Sequence, residues 1–186
     1  MKQTPAATDE QDRALVERYL AGHRDAAGGL VDRYQQRVYN VALRMLHNVQ
    51  DAEDVTQTVF HNAFLKLKSY DPQYRFFSWI YRMTVNESLN MLKRGKRTVP
   101  LEEELGIKAP GAAPDHAAEV EGLVGKAMMG LKPDDRAVVV LKHFMSFSYE
   151  EIAAVLEIPV PTVKSRLFTA RERLRDSLRE RADDQC

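Results

Sequence analysis

The stretch from Ser148 to Leu167 restricts the fold of this chain more than any other. Ser148 is a good N-cap, and Glu151 three residues on completes a capping-box pattern, in which each side chain satisfies the other residue's free backbone N–H. Ile152, Val155 and Leu156 then repeat at the i, i+3, i+4 spacing of one helical face. Glu157-Ile158-Pro159 stops that helix, because proline lacks the backbone donor and disfavours a helical residue before it. A second helix follows, with Val163, Leu167, Ala170 and Leu174 in a narrow apolar stripe. At about 100° per residue, Pro161, Ser165, Phe168, Thr169 and Glu172 point away from that stripe. Lys164, Arg166, Arg171 and Arg173 lie on its flanks, and Thr162 stands at its start.

This is the layout of a DNA-reading helix-turn-helix. The stripe docks the helix, small polar and apolar side chains face base edges, and the flanking cations meet phosphates. The plainer alternative is an αα-hairpin in a helical bundle with a solvated basic face. It leaves Phe168 as an exposed aromatic without a task. It also leaves unexplained why cations outnumber acids by seven to three between Lys164 and Arg181.

Charge adds no global attraction to nucleic acid, since 27 basic and 27 acidic residues cancel; its segregation along the chain carries the signal. No apolar run approaches the roughly 20 residues that span a bilayer, and Met1-Lys2-Gln3-Thr4-Pro5 lacks an apolar signal region. A cytoplasmic protein without membrane insertion is expected. Cys186, the only cysteine, excludes intrachain disulfides and cysteine-based zinc sites. The histidines show no ligand spacing, and no phosphate-cradling glycine loop is present. We therefore expect no metal, no cofactor, no catalytic residues and no enzymatic activity.

Residues 1–11 read as a disordered N-terminus, followed by a short amphipathic helix from Asp12 to Ala21 that Gly22 closes. Asp25 is placed to cap a longer helix whose Leu30, Tyr34, Val38, Val41 and Met45 form a core stripe ending at His47-Asn48. The next helix opens with Asp51 as its expected N-cap and with Glu53 and Asp54 suiting the helix dipole. Val55, Val59, Phe60, Ala63, Phe64 and Leu67 cover one half of it, while Asp54, Gln57, Thr58, His61 and Leu65 face the other way. That second face is either a docking surface for a partner or an ordinary solvated side.

Asp71-Pro72 breaks the chain, and six of its fifteen aromatics fall between Tyr70 and Tyr81. In the helix that follows, Arg82, Asn86 and Asn90 form one ridge at i, i+4, i+8, with Trp79 beside it and Lys93-Arg94-Gly95-Lys96-Arg97 at its end. Aromatic faces beside amide and guanidinium groups suit unstacked single-stranded bases. Phe77 and Trp79 are expected in the core, but a mid-helix asparagine pair has poor helix propensity and calls for another role. Residues 98–114 read as a flexible linker with prolines, glycines and the acidic run Glu102-Glu103-Glu104, a solvated spacer or a nucleic-acid mimic. A second helical domain, 115–181, follows, with Pro133 starting a helix from Arg136 to Phe144 ahead of the helix-turn-helix. The fold class is all-α: two small helical domains and no credible strand.

Together these blocks resemble the extracytoplasmic function (ECF) group of bacterial RNA polymerase sigma factors, which contain only sigma domains two and four. The resemblance is carried by Asp51-Ala52-Glu53-Asp54-Val55-Thr56-Gln57, by Phe77-Ser78-Trp79-Ile80-Tyr81-Arg82 with Asn86, and by Tyr149–Ala153 through Val163–Leu167. It implies that 12–97 is sigma domain two and 115–181 is sigma domain four. It further implies that Asp51, Glu53, Asp54, Gln57, Thr58, His61 and Leu65 bind core polymerase, at the clamp helices of its largest subunit, and that the flap region is the other polymerase contact. By the same implication, Tyr74, Phe76, Trp79, Arg82, Asn86 and Asn90 capture a flipped base of the −10 element while Lys93, Arg94, Lys96 and Arg97 hold adjacent phosphates. Thr162, Lys164, Ser165, Arg166, Phe168, Thr169, Arg171 and Arg173 would then read the −35 element as duplex. Sigma factors of this group are commonly held by an anti-sigma partner, which the resemblance implies here. The chain departs from the family pattern at Thr169, where arginine is common, at Thr84, and at Asp71-Pro72-Gln73-Tyr74, which lacks a glycine. These departures bear on the promoter sequence rather than on the class. The competing expectations are a stand-alone helix-turn-helix regulator with an N-terminal sensing or dimerisation domain, and a helical adaptor that binds only protein.

Overall fold

The computed structural model describes residues 5–98 and 116–183. Every regular element among them is helical: α1 (Pro5–Leu20), α2 (Ala26–Leu46), α3 (Val49–Lys66) with a 3-10 turn Leu67–Ser69, α4 (Phe76–Thr98), α5 (His116–Met129), α6 (Pro133–Val139) running into a π-helical turn Val140–Phe144, α7 (Tyr149–Leu156) and α8 (Val160–Asp183). Helices α1–α4 pack as one bundle and α5–α8 as a second. The segment 99–114, with Glu102-Glu103-Glu104, and Cys186 lie outside the described residues.

The first bundle is built on the expected stripe. Leu30, Tyr34, Val38, Val41 and Met45 of α2 are fully buried against Ala52, Val55, Val59 and Ala63 of α3 and against Ile80, Tyr81 and Val85 of α4. Burying each of the larger side chains contributes about 1.5–3 kcal/mol, so packing outweighs the intrinsic propensities of these helices. Thr84 is also buried, and its hydroxyl donates to the Ile80 carbonyl at 2.8 Å, which satisfies the one polar atom it brings inside.

Several local expectations are corrected. Residues 5–11 are helical, not disordered, and Asp9 meets Arg75 at 2.9 Å. Asp12, read as a helix start, is instead a buried anchor of α1, accepting from the Tyr34 hydroxyl and paired with Arg33 at 3.3 Å. Burial raises its pKa, and the Tyr34 hydroxyl and the Arg33 charge oppose that rise. Asp25 stands before α2 but makes no cap hydrogen bond; it accepts from Arg18 at 2.9 Å. The α3 cap is Asn48, whose side chain accepts from the Asp51 N–H at 3.0 Å, so Asp51 lies in the first turn and supplies charge to the dipole.

In the second bundle the capping box is present as read: the Glu151 N–H donates to the Ser148 hydroxyl at 3.1 Å and the Ser148 N–H to the Glu151 carboxylate at 2.8 Å. Glu157 ends α7 with φ 54, a left-handed cap. Val163, Leu167 and Ala170 are buried on α8, which continues beyond Leu174 to Asp183.

The two bundles are apposed, and their buried residues form one continuous cluster. Arg136 of α6 is 3% exposed and threads the seam. It donates to the carbonyls of Met128 (2.9 Å), Met129 (2.8 Å) and Leu131 (3.2 Å), and across to that of Met45 at 2.5 Å, thereby capping the ends of both α5 and α2. Gly125 of α5 faces the ring of His47, the left-handed cap of α2; a Cβ there would collide with the imidazole.

Candidate nucleic-acid and polymerase interfaces

Three faces contain the expected site residues. The first is the outer side of α3. Glu53, Asp54, Gln57 and His61 are exposed, Asp51 and Thr58 are half-buried, and Leu65 is 68% exposed. An acidic helix start, a polar stripe and one bare leucine are therefore presented together, as the spacing required. A rigid helix displays them, because its opposite half is held in the core.

The second face surrounds the start of α4. Tyr70, Phe76 and Trp79 stack as a tilted aromatic group, with ring centroids 5.3–5.8 Å apart. Phe76 is buried against Tyr34 as well, so its ring supports this group and is not offered to a base, contrary to the role expected for it. Trp79 and Phe77 are half-buried rather than core residues. Tyr74 is 64% exposed at the tip of the preceding loop, and its carbonyl accepts from the Tyr70 hydroxyl at 2.5 Å. Asp71 closes the loop by accepting from the Gln73 N–H at 2.9 Å, an Asx turn that does the shaping a glycine would otherwise do. Burial pushes the Tyr70 phenol up to about 12, so it remains a neutral donor.

Further along α4, Asn86 and Asn90 are exposed on one ridge, as expected, and Lys93 and Arg94 follow on the surface. The side chains of Lys96 and Arg97 lie outside the described residues. Arg82 is placed differently. Its guanidinium reaches the second bundle, pairing with the Glu157 carboxylate at 2.6 Å and donating to the Ala154 carbonyl at 2.8 Å. Phe77 and Tyr81 alongside meet Phe147 edge-on, at 5.4 and 5.2 Å. Sequence reasoning took Glu157 only as part of a helix stop, and took Phe77 and Tyr81 as belonging to one bundle; nothing local to either segment reports a contact between them.

The third face is the outer side of α8. Phe168 is 69% exposed, and Lys164, Ser165 and Arg171 are exposed around it; Thr162, Arg166 and Thr169 are half-buried. Lys164 lies over the Tyr149 ring at 5.7 Å, Arg171 faces the His143 ring nitrogen at 3.4 Å, and Arg173 meets Asp135 at 3.5 Å. These contacts orient the flanking cations without burying them. Among the described residues no helix is long and apolar enough to cross a membrane.

Comparison with known proteins matches both halves. Residues 30–98 fit the model of sigma-70 region 2, and residues 121–174 that of sigma-70 region 4. The chain is 34% identical over 184 residues to the RNA polymerase sigma-H factor of Pseudomonas aeruginosa, covering 92% of this chain and 95% of that protein. It is 32% identical over 178 residues to the ECF RNA polymerase sigma factor SigW of Bacillus subtilis, covering 89% and 95%. Among solved structures, CnrH in complex with the cytosolic domain of CnrY aligns with a TM-score of 0.72 and 26% identity, over 91% of this chain and 98% of that one. The sigma factor RpoE of Bartonella quintana, in complex with the anti-sigma factor NepR, aligns with a TM-score of 0.65 and 25% identity, over 82% and 96%. The chain belongs to the ECF group of sigma-70 RNA polymerase sigma factors. Its relatives span both bundles under one function, which disfavours a stand-alone regulator with an unrelated sensing domain.

Proposed function

We propose that the chain is a non-enzymatic, reversible subunit that carries core RNA polymerase to particular promoters in the cytoplasm and helps open them. Sigma domain two, 12–97, would dock through the outer face of α3 and capture a −10 base on Trp79, Arg82, Asn86 and Asn90, with Tyr74 at the rim. Sigma domain four, 115–181, would read the −35 duplex with the outer face of α8. The observation that supports this reading best is the exposure of two asparagines, Asn86 and Asn90, beside a supported aromatic group on a rigid helix. A duplex-only regulator has no use for such a ridge, whereas stacking contributes about 1–3 kcal/mol per unstacked base and amide contacts add selectivity. One of the similar solved structures holds a sigma factor with an anti-sigma factor, and another holds CnrH with the cytosolic domain of CnrY. An anti-sigma partner for this chain is inferred on that footing.

The reading is tested by run-off transcription. Bacterial core polymerase is supplied with a pool of promoter fragments, with and without this protein and with Asn86→Ala. Specific transcripts that require the protein and weaken with Asn86→Ala are expected. Duplex binding without core-dependent initiation would contradict it.

A further inference from the structure

The loop before α4 carries Tyr74, the exposed aromatic assigned above to the rim of the −10 ridge, and its own residues shape it locally. The Asp71 carboxylate accepts from the Gln73 N–H at 2.9 Å, the Asp71 carbonyl from the Tyr74 N–H at 3.1 Å, and the Tyr74 carbonyl from the Tyr70 hydroxyl at 2.5 Å. Further ties reach the loop from α1. The Arg13 guanidinium donates to the Pro72 carbonyl at 3.2 Å, and the Asp9 carboxylate meets Arg75 at 2.9 Å. Tyr74 lies in the chain between these two anchor points. Asp9 and Arg13 stand four residues apart on one helix, where an acid and a base can pair with each other; here both side chains reach the loop. Arg75 has Glu151 as a more distant neighbour, at 3.8 Å.

Other residues hold α1 to the bundle. Asp12 and Val16 are buried, and the Tyr19 ring packs on that of Phe64 at 5.4 Å. The Asp9–Arg75 pair is partly exposed, so losing it costs little stability. Such ties matter for where the loop stands, because a site on a loop is only as precise as its supports. A loop free to shift would still stack a base, since every base has a π-face. It would discriminate less, since hydrogen bonds to base edges need fixed geometry.

We propose that Asp9 and Arg13 are positioning residues, through which α1 braces the loop on both sides of Tyr74 and sets how selectively it accepts an unstacked base. This rests on the reading of Tyr74 as a −10 contact. The brace acts on selectivity more than on the strength of single-strand binding.

The test is run-off transcription by bacterial core polymerase with the full-length chain, on a responsive promoter whose −10 bases are randomised and whose templates carry transcribed barcodes. Arg13→Ala and Asp9→Ala should each lower the preference for the best base about threefold, at the position where Tyr74→Ala also lowers it. Total transcript and the melting midpoint should stay near wild type. Arg13→Lys, which keeps a donor, should retain the preference, as should Arg18→Ala, a control on the same helix whose partner is Asp25. Arg13→Ala combined with Tyr74→Ala should lose no more than Tyr74→Ala alone. An unchanged preference with Arg13→Ala and Asp9→Ala, beside a lowered one with Tyr74→Ala, would overturn the brace and leave Tyr74 in place. A loss spread over every position with a lower melting midpoint would overturn it too, by making the two residues structural only. An unchanged preference with Tyr74→Ala would remove Tyr74 from the −10 contact, and the brace with it.

Discussion

Ser148 and Glu151 hold the entry to the helix-turn-helix by exchanging two hydrogen bonds, at 3.1 and 2.8 Å. Ser148→Ala should cost about 1 kcal/mol of stability, read as a lower denaturant midpoint at unchanged slope. Asn86→Ala, on an exposed position, should leave the midpoint within about 0.5 kcal/mol of wild type while reducing promoter-dependent transcription. The capping box was legible because both partners lie within one turn of sequence. The α3 cap was not, because Asn48 and Asp51 are both good caps three residues apart; only the observed bond from the Asp51 N–H to the Asn48 side chain decides between them. Asp12 and Phe76 were misread for a different reason. A charged residue near a terminus usually faces water and the loop before Phe76 suggested an open edge, but Tyr34 meets both side chains in the interior.

At the scale of elements, period alone separated buried from presented faces. On α8, Leu167 is buried and its neighbour Phe168 is exposed, one step round the helix. Leu167→Ala should therefore cost about 2–5 kcal/mol in thermal or chemical unfolding. Phe168→Ala should leave unfolding nearly unchanged and weaken binding of −35 duplex, a split that a gel-shift assay beside a melting curve reads directly. The same periodicity identified the core stripe of α2 and the Asn86–Asn90 ridge of α4. It failed at α1, because the turn before Asp12 lacks an apolar stripe and is held instead by polar ties such as Asp9 to Arg75. It also failed to register the π-helical turn at Val140–Phe144, because the apolar run Ala137–Leu141 that leads into it gives no period to read.

In the whole molecule the two bundles close on one another, and that closure was illegible in the sequence because its contacts join residues far apart in the chain. His47 is central to it. Gly125 lies against its ring, and Arg44 of α2, Lys126 of α5 and Arg136 of α6 surround it. Burial first, and then these three cations, hold its pKa below the usual 6.5. The closed form therefore prefers neutral His47. Its stability is full above pH about 6.5 and falls as pH drops from there through the lowered value, since the open form takes up the proton more readily. Small-angle scattering should show the radius of gyration rising as pH is lowered from about 7.5 to about 5.5, and His47→Gln should abolish the step. A radius unchanged by pH would mean that His47 does not govern closure.

The central claim is that one chain carries a duplex-reading face on α8 and a single-strand-reading face on α4. Permanganate reactivity of unpaired thymines, measured on a responsive promoter with core polymerase, tests it most directly. With the wild-type chain, thymines of the −10 element should become reactive while the −35 element is protected from nuclease. With Asn86→Ala the reactivity should be lost and the protection retained. Opening that persists undiminished with Asn86→Ala would contradict the claim and move single-strand capture off the α4 ridge.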